Sequence, residues 1–338
     1  MNEEKQGITI AGTLIADVFH ELDSYPQQGY LSTVRNISHN IGGTGNIILD
    51  LAKLDKDLTV NVCALVGNDE AGNALRDVLA QYPNVNTQPI TIEGKTSTTL
   101  VMNAVDTKQR TFFFIPAASD AFCEKYIDWD KVDAKIFHLE YLLLMKQVDS
   151  FDDNFGTHAA KILYEAKQRG MITSIDVVSE QGNRAPKVVG AALRYTDICC
   201  INEAEAEAIT GIPFDENSDV QIERVLPIIE KLRDLGVSKW IVIHTPKCGY
   251  GYDCEKEVFS VVPSLKLPSG YIKGTTGAGD AYCCGVLYGA YKNFLLKEAM
   301  ELARACAACS LSENNGSDGM RSYLEVIELD KQYGELEN

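Results

Sequence analysis

The sequence predicts an α/β fold: a mainly parallel central sheet with helices on both faces. Short β-rich runs alternate with helical stretches along most of the chain, the pattern of βαβ units. Hydrophobic residues make up 45% of the 338, enough for a sizeable buried core. No internal repeat or low-complexity linker interrupts the alternation, so residues 1–338 read as one continuous domain.

Taken in order, the first strand is expected over residues 8–15 and a helix over 45–54. A strand over 59–66 and a helix over 72–82 follow, then strands at 136–139 and 172–177 around a helix at 157–169. Strands at 198–201 and 240–244 flank a helix at 219–235. Two regions break the alternation. Residues 31–38 read as a strand with no helix beside it, and 98–105 with 110–115 read as a hairpin turned by Asp106-Thr107-Lys108-Gln109. These segments form either a small sheet projecting from the body, as a lid or dimer contact, or a plain extension of the main sheet.

Composition excludes several classes. The chain carries 48 acidic against 31 basic residues, a formal charge of −17. Such a surface repels phosphate backbones and anionic headgroups, which argues against nucleic-acid or membrane partners. No uncharged apolar run approaches the roughly 18 residues a spanning helix needs, and the polar start of the chain has no signal-peptide pattern. Ten cysteines are scattered, with adjacent pairs at Cys199-Cys200 and Cys283-Cys284. The single C-x-x-C, Cys306 to Cys309, lies in a small-residue run without nearby histidines and makes a poor zinc site. Reduced, buried thiols and a cytoplasmic location are the expectation.

The sharpest local feature is Gly274-Thr275-Thr276-Gly277-Ala278-Gly279-Asp280, ahead of a small-residue helix over 281–291. Glycines and alanine let backbone N–H groups approach a ligand, and a helix start leaves those groups unpaired at the positive end of the dipole. A phosphoryl group in transfer needs stabilisation of that kind. The Asp280 carboxylate then stands where it can take a proton from an attacking hydroxyl. The competing reading is an N-capping aspartate after a flexible turn. The Gly-Lys-Ser/Thr ending of a P-loop is missing.

With this segment in view, the chain resembles the PfkB (ribokinase-like) family of carbohydrate and nucleoside kinases. Residues 275–281 look like the family's C-terminal signature, which implies Asp280 as catalytic base and the amides of Gly277, Ala278 and Gly279 as an anion hole. Asn202-Glu203-Ala204-Glu205, followed by Thr210-Gly211, resembles the N-x-x-E motif, implying that Asn202 and Glu205 organise Mg²⁺. Oxygen ligands suit that ion; as a bare helix start, the acidic run would only complement the dipole. Gly12 to Asp17 looks like the opening strand whose aspartate binds substrate hydroxyls. Gly42-Gly43-Thr44-Gly45-Asn46 resembles the first glycine signature with its register shortened by one, implying Gly42, Gly43 and Asn46 at the acceptor.

The resemblance covers the chain from residue 8 to about 316. It implies a three-layer α/β/α ribokinase-like domain with a β-sheet lid from about 13–40 and 96–118; a homodimer through that lid is a separate expectation, from the strand pattern. ATP and Mg²⁺ are the implied cosubstrate and cofactor, and a hydroxymethyl group of a sugar or sugar-like polyol is the implied acceptor. A nucleoside, or a sugar-binding relative with a degraded ATP site, are the alternatives. Departures gather at the nucleotide end. Where the family shows Thr-x-Gly and a further glycine, this chain has His244-Thr245-Pro246 and then Gly249, and Pro246 removes an amide donor. His244, Thr245, Gly249 and Thr275, with Gly277 and Gly279, are the expected nucleotide contacts. Gly274, preceded by Lys273, replaces the aspartate of cation-activated members, which implies turnover independent of K⁺.

Overall fold

The computed structural model describes residues 5–107, 109–180, 182–214 and 222–336. Lys108 of the expected hairpin turn and residues 219–221 of an expected helix lie outside them. In chain order the elements are β1 (Ile8–Gly12), β2 (Leu14–Leu22), β3 (Val34–Gly43), α1 (Gly45–Leu54), β4 (Val60–Val66), α2 (Glu70–Leu79), β5 (Val85–Asn86), β6 (Thr91–Ile92), β7 (Ser97–Ala104) and β8 (Gln109–Ile115). They continue as α3 (Ala117–Ala121), β9 (Ile136–Leu142), α4 (His158–Gln168), β10 (Ile172–Val177), α5 (Ala185–Leu193), β11 (Ile198–Asn202), α6 (Glu203–Thr210) and α7 (Ile222–Leu235). The last are β12 (Trp240–His244), β13 (Cys248–Asp253), β14 (Val258–Pro263), α8 (Ala278–Tyr291), α9 (Leu296–Ser310) and α10 (Tyr323–Gln332).

The main sheet runs β14-β13-β12-β11-β10-β9-β1-β4-β5, with β6 beside β4. From β12 to β5 every pairing is parallel, and only β13 and β14 add antiparallel strands at one edge. Successive side chains on a strand point to opposite faces, and the two hydrophobic cores divide accordingly. Ile198, Cys200, Trp240 and Val242 pack with α1, α8 and α9, whereas Cys199, Ile201, Ile241 and Ile243 pack with α4, α5, α6 and α7. This is a three-layer α/β/α arrangement. Each buried Ile or Leu contributes about 1.5–3 kcal/mol to it. The alternation also explains one adjacent cysteine pair: Cys199 and Cys200 face different cores, and all ten cysteines are free thiols.

A second sheet of four strands, β3-β2-β7-β8, is built from the segments that broke the alternation. Here the expected single strand over 8–15 needs correction, because it splits at Thr13. The Thr13 amide donates to the Glu140 carbonyl at 3.2 Å, and its own carbonyl accepts from Thr44 at 2.9 Å. Those contacts end pairing in the main sheet, and the chain continues into the small one. Gly42 and Gly43, of the shortened glycine signature, close β3 opposite Ile15 and Leu14. The late helix begins at Ala278 rather than 281, so Asp280 lies inside its first turn.

Candidate active site

The C-terminal ends of β1, β9, β10, β11 and β12 meet the start of α8, where open parallel sheets place their ligands. Asp280 is the third residue of α8. It is buried to 9% exposure, and its two carboxylate oxygens accept from Asn46 Nδ2 at 2.8 Å and from the Tyr141 hydroxyl. It therefore does not cap its own helix. Gly277 holds the capping position with φ +80°, a left-handed conformation. A Cβ there would stand 2.4 Å from Gly316, so the turn needs glycine for both shape and space. Beyond it, the amides of Ala278, Gly279 and Asp280 occupy the first turn, where intrahelical acceptors are lacking; Ala278 makes only a long bond of 3.4 Å to Thr275 O.

Burial pushes the Asp280 carboxyl upward, and the Asn46 and Tyr141 donors hold it back by favouring the charged form. Asp280 is one of a group of acids. Glu140 is near the end of β9 and Asp176 near the end of β10, and oxygens of Glu140, Asp176 and Asp280 lie within 4.8 Å of one another. Glu140 and Asp176 are driven well above the usual carboxylate range, chiefly by burial and then by neighbouring acids. His138 sits between Ser174 Oγ and Glu140 Oε2, both at 3.0 Å. Burial lowers His138 to about 3, so its contact with the raised Glu140 is a neutral hydrogen bond, not an ion pair.

Asp17 lies on β2, opposite Asn40 of β3 and Thr99 of β7. Burial raises it to about 6, against the effect of the Thr99 side chain. Gly42 makes room for it, since a Cβ at 42 would stand 2.2 Å from Asp17 Oδ2. Gly43 ends β3, and Asn46 is the second residue of α1. One helical turn beyond Asn46, Asp50 is fully buried with neither oxygen hydrogen-bonded, and desolvation pushes its carboxyl well up.

At the nucleotide end, Asn202 and Glu205 form a capping box at the start of α6. Asn202 Oδ1 accepts from the Glu205 amide and Glu205 Oε2 from the Asn202 amide, both at 2.9 Å. Glu205 also accepts from Ser179 Oγ at 2.7 Å, and burial raises it to about 7. His244 ends β12 opposite Asn202, its ring stacked on Tyr282 at 5.1 Å, and a Cβ at position 279 would stand 3.4 Å from its Cε1. Burial lowers it to about 4, leaving a neutral imidazole near pH 7. The Thr245 hydroxyl is engaged in its own turn with Lys247 and Cys248, and Gly249 pairs with His244. Thr275 lines the open cleft between the second sheet and the segments before α8 and after α9, a space of about 1190 Å³.

The structure thus brings Asp280, Asn46, Gly277, Ala278 and Gly279 together, with Asp17 within electrostatic reach of Asp280. Sequence reasoning missed Glu140, Tyr141, Asp176 and Asp50. The first three follow or end predicted parallel strands, a position that could have marked them. Asp50 gave only one signal, an acid on the otherwise apolar run 47–52 of a predicted helix.

Among known proteins, residues 6–322 match the family described as pfkB family carbohydrate kinase. A curated relative, probable fructokinase-6, chloroplastic, of Arabidopsis thaliana, is 26% identical over 80% of this chain and 69% of its own length. The solved Arabidopsis thaliana ribokinase, complexed with ribose and ATP, superposes with a TM-score of 0.78 at 20% identity, covering 97% of this chain and 99% of that one. The nucleoside kinase of Methanocaldococcus jannaschii gives 0.72 at 16% identity over 97% and 99%. At these identities the two structures establish the fold.

Proposed function

Because the chain belongs to the pfkB family of carbohydrate kinases, we propose that it transfers the γ-phosphate of ATP to a hydroxymethyl group of a sugar or sugar-like polyol. The observation that carries this is the Asp280 carboxylate, held by Asn46 and Tyr141 beside the first-turn amides of a helix. Asp280 takes the acceptor proton, and the amides of Gly277, Ala278 and Gly279 meet charge developing on the phosphoryl oxygens. Asp17 and Glu140 lie on the acceptor side, where β9, β1 and the second sheet adjoin. A carboxylate accepts hydroxyl hydrogen bonds in pairs, which suits a polyol.

Asp176 and Glu205 lie on the other side, toward β11 and β12, where His244, Gly249, Thr245 and Thr275 would border the nucleotide. The acids where the two sides meet fit Mg²⁺: Glu140, Asp176 and Asp280 offer oxygens within 4.8 Å of one another, and Glu140 Oε1 is buried without a hydrogen-bond partner. Asp176, Glu205 and Asn202 would hold the ion and its waters. When bound, it would screen the triphosphate from the surrounding carboxylates.

The second sheet serves in this reading as a lid that excludes water from the transfer. Ile37 and Phe113 are half-exposed on its outer face, which supports a homodimer through the lid, a state that light scattering would report. Phe19 and Phe112 line the cleft on the inner face, and they favour a nucleoside as the second choice of acceptor. The ten free thiols suit a reducing, cytoplasmic setting.

A coupled ADP-release assay over sugars and nucleosides, run on wild type and Asp280→Asn, tests the proposal. Turnover on one acceptor should fall by roughly 10²-fold to 10⁴-fold in the variant, the range for a lost general base, with acceptor affinity kept. Acceptor binding without ADP release by wild type would sink the kinase reading in favour of a binding protein. Near-normal turnover in the variant would remove Asp280 from its role.

A further inference from the structure

Arg110 belongs to the edge strand of the second sheet, yet its side chain crosses the cleft to the opposite wall. One guanidinium nitrogen donates to Thr276 Oγ1 and another to the Asn314 carbonyl at 2.9 Å, while the group lies over the Phe19 ring at 5.8 Å from its centre. Both acceptors are neutral. Among the described residues Arg110 has no carboxylate partner, and burial alone lowers its pKa. The cleft's other cation, Lys273, is bound to Glu313 at 3.0 Å.

This placement is informative because of the acids around it, some of them kept protonated by burial, and because a triphosphate is itself multiply anionic. Asp17, Glu140, Asp176, Glu205 and Asp280 converge on the site, and the side chains that hydrogen-bond Asp280, Glu140 and Glu205 are uncharged at neutral pH. A triphosphate brought among those acids requires positive charge close to its terminal group. Thr276 immediately precedes Gly277, the first residue of the proposed anion hole. Arginine suits the task, since its planar fork pairs with two phosphoryl oxygens and stays charged when partly buried.

We propose that Arg110 is a lid-borne cation for the transferred phosphoryl group, parked on Thr276 and Asn314 until the nucleotide arrives. The assignment rests on the kinase reading above. In the transfer, the acceptor oxygen forms its bond to the γ-phosphorus as its proton passes to Asp280. The bond from that phosphorus to the β–γ bridging oxygen breaks, and its electron pair leaves with ADP. Arg110 and the amides of 277–279 share the charge on the three remaining oxygens. Because the cation rides on the second sheet, catalysis is complete only when that sheet is closed over the cleft.

The test compares wild type, Arg110→Lys and Arg110→Ala on the best acceptor from the sugar and nucleoside panel, with and without added guanidinium chloride. Arg110→Ala should lose roughly 10²-fold to 10³-fold in kcat, the scale for one transition-state donor, with the acceptor KM and melting temperature near wild type. Guanidinium should restore at least tenfold of that loss with saturation, and lysine should retain part of the activity. An unchanged kcat overturns the assignment, as does a loss confined to acceptor KM, which would make Arg110 an acceptor contact. A lowered melting temperature with no rescue would reduce it to a strut between the second sheet and the loops beside α8 and α9. A wild-type protein that transfers phosphate to no acceptor and binds no Mg-ATP fails the kinase reading itself, a result separable from these.

Discussion

A buried acid can serve as a base only if its charged form is stabilised. At Asp280 desolvation works against ionisation, while Asn46 and Tyr141 favour it. Removing one donor should therefore move the acid limb of kcat/KM to higher pH, because the base must be deprotonated to act. We expect that displacement for Tyr141→Phe, with the alkaline limb and the fold unchanged. A pH–rate profile in constant-ionic-strength buffers measures it. An acid limb that stays in place, or moves down, would show that the hydroxyl does not stabilise the working carboxylate. The same logic explains why glycine occupies position 42. Any side chain there would meet Asp17 at 2.2 Å and push the carboxylate from its place on β2.

At the scale of elements, the site depends on how one helix starts. Residues 275–277 must turn sharply so that the amides of α8 face outward, and the left-handed Gly277 packs against Gly316 from the loop after α9. Gly277→Ala should cost about 1–3 kcal/mol from its positive φ alone, with a further penalty from the clash at 2.4 Å. Gly94→Ala makes a useful comparison, since Gly94 also has positive φ, +74°, but open space around it. Urea unfolding of both should show the larger loss at 277, and only that variant should lose turnover. Equal losses would mean that Gly316 yields and the close approach matters little. The start of α6 shows the limit of reading one role from one motif. Asn202 and Glu205 satisfy each other as a capping box, and Glu205 still lies beside Asp176 at the site.

For the whole molecule, concentrating acids in one buried place has a consequence for stability. Asp17 is raised to about 6 and Glu205 to about 7, and Asp50, Glu140 and Asp176 are raised well above the usual carboxylate range, in each case first by burial. A carboxyl with a raised folded pKa contributes stability below its unfolded value, about 4, and loses it as pH climbs through the folded one. His138 and His244, held to about 3 and 4, oppose this, since stability falls as pH drops from about 6.5 and the unfolded imidazoles protonate. The raised carboxyls outnumber the two imidazoles. The melting temperature should therefore fall as pH rises from 5.5 to about 7. Scanning calorimetry across that range decides it, and a rising melting temperature would mean that the cluster is not as desolvated as its burial implies.

By itself the sequence determined the alternation of strands and helices, the two segments that leave the main sheet, and the turn ahead of Asp280. All are encoded locally, by hydrophobic period, by glycine and by the residue types of a turn. Tertiary structure alone decided that residues 8–15 divide between two sheets, because the break at Thr13 rests on contacts with Glu140 and Thr44, distant in the chain. It also decided which acids gather around Asp280. Glu140, Tyr141 and Asp176 carry no local mark of function beyond their place at the ends of predicted strands. Their roles arise from parallel pairing, which sets the ends of β9 and β10 against the start of a helix more than a hundred residues later. Arg110 is the extreme case: a charged residue on the edge strand of the second sheet acquires meaning only from the wall it reaches across the cleft.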